Sequence, residues 1–124
     1  MSRKLEGINR YELDKKVGSG TFGVVIKARD KKTLDIVAIK KVYQDRKYKN
    51  RELEILKGLK HPNVLEMKDH YFTYDGGKEY LNVVMDYYPF NLLEYISSSK
   101  SRPRISKLKF KVLAYQMFKS LLYL

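Results

Sequence analysis

The 124-residue sequence contains no cysteine and no tryptophan, and it has only two histidines and three prolines. The absence of cysteine excludes disulfide scaffolds, thiolate zinc sites and a cysteine nucleophile. His61 and His70 have no close set of other ligands around them, so no metal site is expected. No apolar run is long enough to span a membrane, and the first residues lack the apolar segment of a secretion signal. We therefore expect a soluble intracellular protein, cytoplasmic and/or nuclear, with no membrane partner.

Acidic residues are also scarce, since 14 Asp and Glu against 26 Lys and Arg give a net charge of +12. With 44% hydrophobic residues, the composition is that of a globular chain, and its length suits one small domain or a piece of a larger one. The basic residues are densest at 40–60 and 100–111, yet no nucleic-acid-reading motif accompanies them. We interpret the charge as a solvated basic surface or a phosphate site, and nucleic acid is not the expected partner.

The pattern of the first 90 residues predicts strands interrupted by one helix. The sequence pattern predicts five strands, at 13–17, 24–29, 36–42, 64–74 and 80–87, of which 36–42 is a β-branched run. Leucines at helical spacing predict a helix over 49–59, which Pro62 prevents from continuing.

The remaining residues predict helices. A short helix is expected over 91–97, followed by a loop over 97–103. The segment 106–124 predicts an amphipathic helix with Ser106 as N-cap. Its apolar stripe is expected to contain Phe110, Leu113, Ala114, Met117, Leu121 and Leu122. We expect this stripe to be exposed and to favour self-association.

The glycine-rich segment Gly18-x-Gly20-x-x-Gly23 is a motif that two kinds of phosphate site use. In a dinucleotide-binding fold it opens a helix, whereas the residues that follow here, 24–28, are mostly strand formers. The glycines are therefore expected at the tip of a β-hairpin, where backbone N–H groups can approach phosphate oxygens without a Cβ in the way. For this segment alone, an ordinary flexible hairpin is the alternative.

Lys40 ends the apolar run Val37-Ala38-Ile39 on the next predicted strand. A lysine inside a buried strand is costly unless it is paired, and Glu52 on the inward face of the following helix offers a carboxylate. A strand lysine paired with a helix glutamate is the arrangement that binds the α- and β-phosphates of ATP in protein kinases.

Together these motifs resemble the N-terminal lobe of a eukaryotic protein kinase. Residues 37–56 are similar to the glycogen synthase kinase 3 (shaggy-like) family of the CMGC group, in which an Asn-Arg-Glu-Leu helix follows a lysine-rich segment. Residues 80–89 resemble that family's hinge, and 115–121 resemble its first large-lobe helix.

The resemblance implies an α+β fold: a kinase small lobe made of a five-stranded antiparallel sheet and one helix, then the hinge and first helices of the large lobe. It divides the chain into an N-terminal extension (1–10), an ATP-binding small lobe (11–87) and the start of a large lobe (88–124). We therefore expect the chain to be a truncated kinase.

The resemblance further implies a serine/threonine protein kinase that uses ATP, with Mg²⁺ in the complete enzyme, and acts on protein substrates, including pre-phosphorylated ones. Lys40 would orient the α- and β-phosphates, and Glu52 would hold it. The glycine loop would comprise Gly18, Ser19, Gly20, Thr21, Phe22 and Gly23. The adenine slot would comprise Val17, Val25, Ala38, Leu65 at its back, Met85 as gatekeeper, and the backbone of Asp86 and Tyr88. Leu56 and Met67 would align the helix, although plain core packing is an equal alternative for Leu56, Leu65 and Met67.

Arg51 matches an arginine that, in this family, helps to bind a phosphate already present on the substrate. A bidentate guanidinium suits that task, and a solvated helix arginine is the alternative.

The sequence contains no His-Arg-Asp and no Asp-Phe-Gly triplet, the motifs that supply the catalytic base and the metal ligands of kinases. We therefore expect no phosphotransfer from this chain alone. Two alternatives stay open: a catalytically inactive kinase lobe that binds nucleotide or a partner, and a basic nucleic-acid-binding module.

Overall fold

The first part of the structure is an antiparallel sheet of five strands. The computed structural model describes residues 9–21, 23–45, 51–97 and 106–124, which divide into two units: residues up to 59 with 66–87, and residues 60–65 with 88–124. The strands of the first unit are β1 (Tyr11–Gly20), β2 (Gly23–Asp30), β3 (Ile36–Gln44), β4 (Met67–Asp75) and β5 (Lys78–Asp86). Their order in the sheet is β1-β2-β3-β5-β4.

Both faces of this sheet contain buried residues: Leu81 and Val83, each 1% exposed, lie on the face of Lys40, and the main buried cluster lies on the other face. Alternation along β3 places Val37 and Ile39 on that face, each 1% exposed. The edge strands β1 and β4 also meet there, because the rings of Tyr11 and Tyr71 stack at 5.8 Å. The Tyr11 hydroxyl donates a hydrogen bond of 2.9 Å to Asp69 Oδ2. The sheet is therefore curled, and its buried cluster comprises Tyr11, Ala28, Val37, Ile39, Tyr71 and Val84.

The opposite face carries the predicted site residues. Val25 pairs with Lys40, and Lys40 pairs with Val83, so these three side chains lie side by side across β2, β3 and β5. Ala38 pairs with Met85 one step further along the same face. The register of three strands thus fixes which predicted residues share a surface.

The helix of the first unit, α1 (Glu52–Gly58), is shorter than the predicted 49–59. Arg51 is its N-cap residue and provides no side-chain cap, and Leu59 is already extended. Residues 46–50 lie outside the described part of the chain. No residue of α1 is buried, and Leu56 is half-buried.

Strand β4 begins at Met67, three residues later than predicted. The segment before it is a turn, in which the backbone N–H groups of Val64 and Asn63 donate to the carbonyl and Nδ1 of His61. The hairpin after β4 is tight, because Gly76 and Gly77 both adopt positive φ, at 57° and 77°. This brings Lys78 into β5 opposite Asp75.

The second unit contains two helices, α2 (Leu92–Ser97) and α3 (Lys107–Tyr123). Asn91 caps α2 by accepting from the backbone N–H of Glu94 at 2.7 Å. Ser106 caps α3 as predicted, since its Oγ accepts from the backbone N–H of Lys109 at 3.1 Å. The predicted loop over 97–103 falls largely on residues 98–105, which are outside the described residues. Over the described ranges, no helix combines the length and the apolarity needed to cross a membrane.

Helix α3 is more widely apolar than the predicted stripe. Phe110, Met117 and Leu121 of the stripe are exposed, and Leu113 and Ala114 are half-buried. At 100° per residue, Leu122 lies away from these positions and joins a second apolar side. That side also contains Leu108, Val112 and Tyr115, all exposed. The prediction of a single stripe was therefore too narrow.

Candidate nucleotide site

The glycine hairpin forms where β1 turns into β2. Gly20 pairs with Gly23, and Gly18 pairs with Val25. Gly23 has φ of 154°, and a Cβ there would collide with the backbone carbonyl of Lys41, so the fold itself requires this glycine. A Cβ on Gly18 would make an ordinary 3.9 Å contact with Val25, and one on Gly20 would meet no atom of the described residues within 4 Å.

As far as the described residues show, Gly18 and Gly20 are not required for steric reasons, unlike Gly23. Ser19 and Thr21 are exposed beside them, and Phe22 lies outside the described residues. An added Cβ on Gly18 or Gly20 would project into space that a ligand can use. This is the observation that fits the hairpin to a phosphate group.

The structure brings Lys40 and Glu52 together. Lys40 Nζ donates to Glu52 Oε1 at 2.8 Å, which joins β3 to the first turn of α1. Both side chains are about one-third exposed (33% and 31%), so Lys40 is less buried than its apolar neighbours suggest. The ammonium thus keeps a face open to a further anion while the carboxylate fixes its position.

Apolar residues adjoin this ion pair on the same face of the sheet, because Val25 pairs with Lys40 and Ala38 pairs with Met85 next to it; we call this group the apolar slot. Val25 and Met85 are half-buried and Ala38 is 7% exposed, while Val17 on β1 is 41% exposed. Ala38 has the smallest side chain of this group, and a small side chain at this position suits a flat aromatic ligand.

For the remaining predicted site residues, the structure gives a position that does not by itself indicate a ligand contact. Leu65 and Tyr88 belong to the second unit and are exposed, at 45% and 66%. Met67 lies opposite Met85 in the β4–β5 ladder. Arg51 is exposed at the start of α1. The functional roles assigned to these residues stay predictions.

Two lysines near the predicted hinge were missed. Lys68 Nζ donates to Asp86 Oδ1 at 2.9 Å and lies 3.9 Å from Asp35 Oδ2, and the hydrogen bond to Asp86 raises the pKa of Lys68. Lys27 Nζ lies 4.9 Å from the ring centroid of Tyr87. These contacts attach Asp86, the last residue of β5, to β4, and Tyr87, the residue after it, to β2. No sequence signal indicates them, because both depend on strand register and Lys68 sits in the irregularity between Met67 and Asp69.

The arrangement can hold a nucleotide through three kinds of contact. Backbone N–H groups at the hairpin suit phosphate oxygens, Lys40 supplies a positioned positive charge, and the apolar slot suits a base. Among the described residues, no three His, Asp or Glu side chains come together as a metal site.

Comparison with known proteins agrees with this geometry. The protein kinase domain model matches residues 11–124. A serine/threonine-protein kinase of Saccharomyces cerevisiae, RIM11/MSD1, is 43% identical over 110 residues, which are 87% of this chain and 30% of that relative. This relative is a kinase of the glycogen synthase kinase 3 family, so the resemblance drawn from the sequence is confirmed. The chain spans less than a third of the length of this curated relative. The five-stranded sheet with its helix is the small lobe of a kinase, and the chain belongs to the protein kinase domain family.

Proposed function

We propose that this chain is the ATP-binding part of a serine/threonine protein kinase, which transfers the γ-phosphate of ATP to protein hydroxyl groups when the whole domain is assembled. The observation that carries the proposal is the 2.8 Å ion pair between Lys40 and Glu52, on the sheet face that also bears the open glycine hairpin and the apolar slot. The serine/threonine kinase RIM11/MSD1 supports the substrate class.

In this proposal each group has one task. The backbone N–H groups near Gly18 and Gly20 bind phosphate oxygens, and Lys40 orients the α- and β-phosphates. Glu52 holds the Lys40 ammonium in place, so that little side-chain entropy is lost on binding. Val25 and Ala38 bury the adenine ring, and Mg²⁺, when bound with ATP, neutralises phosphate charge.

Nucleotide binding by the chain itself tests this proposal. A fluorescent ADP analogue is titrated against the chain and against Lys40→Met, with unlabelled ATP as competitor. We expect the Lys40→Met variant to bind at least about tenfold more weakly, which is the loss of one charge-assisted contact. Its stability should fall by less than about 1 kcal/mol, because an ion pair that is one-third exposed contributes little.

The matched control is Lys32→Met, which removes the same charge from an exposed turn. Equal affinities of Lys40→Met and Lys32→Met would overturn the proposed role of Lys40. Two results together would instead favour the nucleic-acid-binding alternative: ATP binding with which adenosine does not compete, and DNA binding that depends strongly on salt.

We further propose that the 124 residues alone do not transfer phosphate, because they contain neither a His-Arg-Asp nor an Asp-Phe-Gly triplet. Purified chain is incubated with radiolabelled ATP and a protein substrate. Incorporation above background that Lys40→Met abolishes would contradict this proposal. Binding without transfer by a longer product of the same gene would favour an inactive nucleotide-binding lobe.

Arg51 is proposed to contact a phosphate already present on the substrate. It is exposed at the N-cap of α1, where its guanidinium can form a bidentate contact with a phosphate. The test compares a phosphoserine peptide with its unphosphorylated form in the assembled kinase. The Arg51→Ala variant should lose the preference for the phosphopeptide and keep the activity on the unphosphorylated peptide.

A further inference from the structure

A cavity of about 260 Å³ lies on the sheet face opposite to Lys40. Its apolar walls are Leu13, Ile26, Ile39 and Tyr71. Because side chains alternate along β3, Ile39 and Lys41 face this cavity, whereas Lys40 faces the nucleotide site. The cavity is therefore separate from the glycine hairpin and from the ion pair of Lys40 with Glu52.

The apolar walls suit one large side chain. Ile39 is 1% and Tyr71 is 7% exposed, so the floor of the cavity is fixed by the packed core. Leu13 is 56% exposed and forms a wall near the solvent. An aromatic or long aliphatic group placed here would cover apolar surface on several sides.

Asn82 contributes a hydrogen-bond acceptor to the cavity. This residue is 4% exposed, and its Nδ2 donates to the carbonyl of Tyr71 at 3.3 Å, to Thr73 Oγ1 at 2.9 Å and to the carbonyl of Tyr80 at 3.4 Å. These three acceptors fix which end of the amide is the nitrogen. Among the described residues, no donor reaches Asn82 Oδ1, and no side-chain oxygen without a partner is sealed from solvent. The Oδ1 atom therefore opens to the cavity and can accept from a ligand N–H.

Lys41 contributes a positive charge beside that acceptor. It lies directly opposite Asn82 in the β3–β5 ladder, and its Nζ lies 4.5 Å from the ring centroid of Tyr80. In the described part of the chain, no carboxylate lies within ion-pair distance of Lys41. The two consecutive lysines of β3 therefore differ, since Lys40 has a carboxylate partner and Lys41 has an aromatic ring.

The ammonium of Lys41 and the acceptor of Asn82 arise from paired residues, whose Cβ atoms are about 5 Å apart in such ladders. The amide N–H and the carboxylate of a single amino-acid residue are also only a few ångströms apart, so side chains that start from neighbouring Cβ atoms can reach both. We propose that the cavity binds an apolar N-acylamino acid group: its carboxylate contacts Lys41, its amide N–H donates to Asn82, and its side chain fills the space between Leu13 and Tyr71. Asp75 lines the hairpin end and disfavours a second carboxylate in the ligand.

The experiment uses the chain without nucleotide and N-acetyl-L-phenylalaninate as the probe, with binding followed by backbone amide shifts. We expect saturable shifts at Ile26, Ile39, Lys41 and Asn82. N-Acetyl-L-phenylalaninamide, which lacks the carboxylate, should bind about tenfold more weakly, the loss of one charge-assisted contact. N-Acetyl-L-alaninate should not bind measurably, because its side chain leaves the cavity empty.

Two variants test the residues. Lys41→Gln should weaken binding of the phenylalaninate about tenfold and leave binding of the amide unchanged. Lys32→Gln is the matched control, since it removes the same charge from the β2–β3 turn and should bind as the unaltered chain does. Leu13→Trp should fill the cavity and abolish binding. If Leu13→Trp does not fold, the Lys41 variant and the probe series decide the matter.

The same chemistry can come from the carboxyl terminus of a partner peptide or from a small N-acylamino acid. A decapeptide that ends in phenylalanine is compared with its C-terminal amide. Tighter binding of the peptide acid than of N-acetyl-L-phenylalaninate identifies a peptide terminus, and binding of the small probe alone identifies a metabolite. Equal affinities for acid and amide, or equal effects of the Lys41 and Lys32 variants, would overturn the proposal.

Discussion

The glycines of the hairpin differ in what requires them. The fold requires Gly23, whereas Gly20 is proposed to be required by the bound ligand. Gly23 has positive φ and lies against the Lys41 carbonyl, whereas a Cβ on Gly20 would meet no atom of the described part of the chain within 4 Å. We expect Gly23→Ala to cost about 2 kcal/mol or more of unfolding free energy, through strain and a backbone collision. Gly20→Ala should stay within about 0.5 kcal/mol of the unaltered chain. Urea denaturation measures both, and equal losses would contradict the distinction.

The same pair of variants probes the proposed nucleotide site. Gly20→Ala should weaken binding of the ADP analogue although it leaves the fold unchanged, because the new methyl group projects where phosphate is proposed to lie. A variant with unaltered stability and unaltered nucleotide affinity would assign Gly20 to an ordinary hairpin. The sequence alone cannot make this distinction, since all three glycines look alike in the motif.

Tyr71 links the buried core to alkaline stability. Burial is the main cause that raises the pKa of Tyr71 to about 12, above the ordinary tyrosine value of about 10, and the negative charge of Asp69 acts in the same direction. Because the folded-state pKa is raised, the stabilisation is complete below pH 10 and is lost as the pH rises toward 12. Burial also raises the pKa of Tyr11, which acts in the same direction.

Between pH 10 and 12 the unfolding free energy of the Tyr71→Phe variant should fall less steeply with pH than that of the unaltered chain. The two slopes should differ by about 1.4 kcal/mol per pH unit, which is the contribution of one proton. Urea midpoints at pH 9, 10, 11 and 12 measure this difference. Tyr115→Phe, which alters a ring that is 61% exposed, is the control. An unchanged alkaline slope for Tyr71→Phe would show that this phenol does not drive the transition.

At the scale of elements, the turn between β2 and β3 is organised by Asp30. This residue is 5% exposed, and its carboxylate accepts from Arg10 Nη2 at 2.8 Å and from the backbone N–H of Lys32 at 2.9 Å. The hydrogen bonds from Arg10 hold the pKa of Asp30 well below its ordinary value. The turn closes with Leu34 at φ of 65°, a left-handed conformation, while its side chain is 62% exposed.

We expect Leu34→Gly to raise the unfolding free energy by about 0.5 to 1 kcal/mol. The left-handed conformation costs a residue with a Cβ about 1–2 kcal/mol, and glycine removes this cost from the folded state. Part of the benefit is lost because glycine also raises the conformational entropy of the unfolded chain. Lys32→Gly in the same turn is the control and should lose stability, because Lys32 does not have positive φ. A destabilised Leu34→Gly would show that the leucine side chain contributes more than its exposure suggests.

The strands and the helix caps could be predicted from the sequence, because they depend on nearby residues. Most contacts between these elements could not be predicted in this way. The β-branched run before Lys40 predicts β3, and Ser106 predicts the start of α3, because both signals act within a few residues. The start of β4 was predicted too early, since Pro62 and Asn63 continue as a turn through Val64. The ion pair of Lys40 with Glu52 could be predicted from a family pattern. The contact of Lys68 with Asp86 could not, because it depends on an irregular strand register.

At the scale of the whole molecule, α3 presents apolar side chains around most of its circumference. Phe118 and Leu122 are 71% and 82% exposed, on an element that carries four lysines. Helices that are apolar on all sides are normally enclosed by other structure, and exposed patches of this kind promote association. The net charge of +12 opposes association at low ionic strength, so salt should strengthen it.

We therefore expect the average mass of the chain in solution to rise above 14.7 kDa with concentration, and more steeply in added salt. Sedimentation velocity measures this at several concentrations. Leu122→Glu should shift the onset of association to at least about fivefold higher concentration, because it places a charge within the exposed apolar side. Ile36→Glu, which changes an exposed apolar residue of β3, is the control and should leave the onset unchanged. A monomer at all concentrations would exclude association. Equal effects of the two variants would place the association surface outside α3.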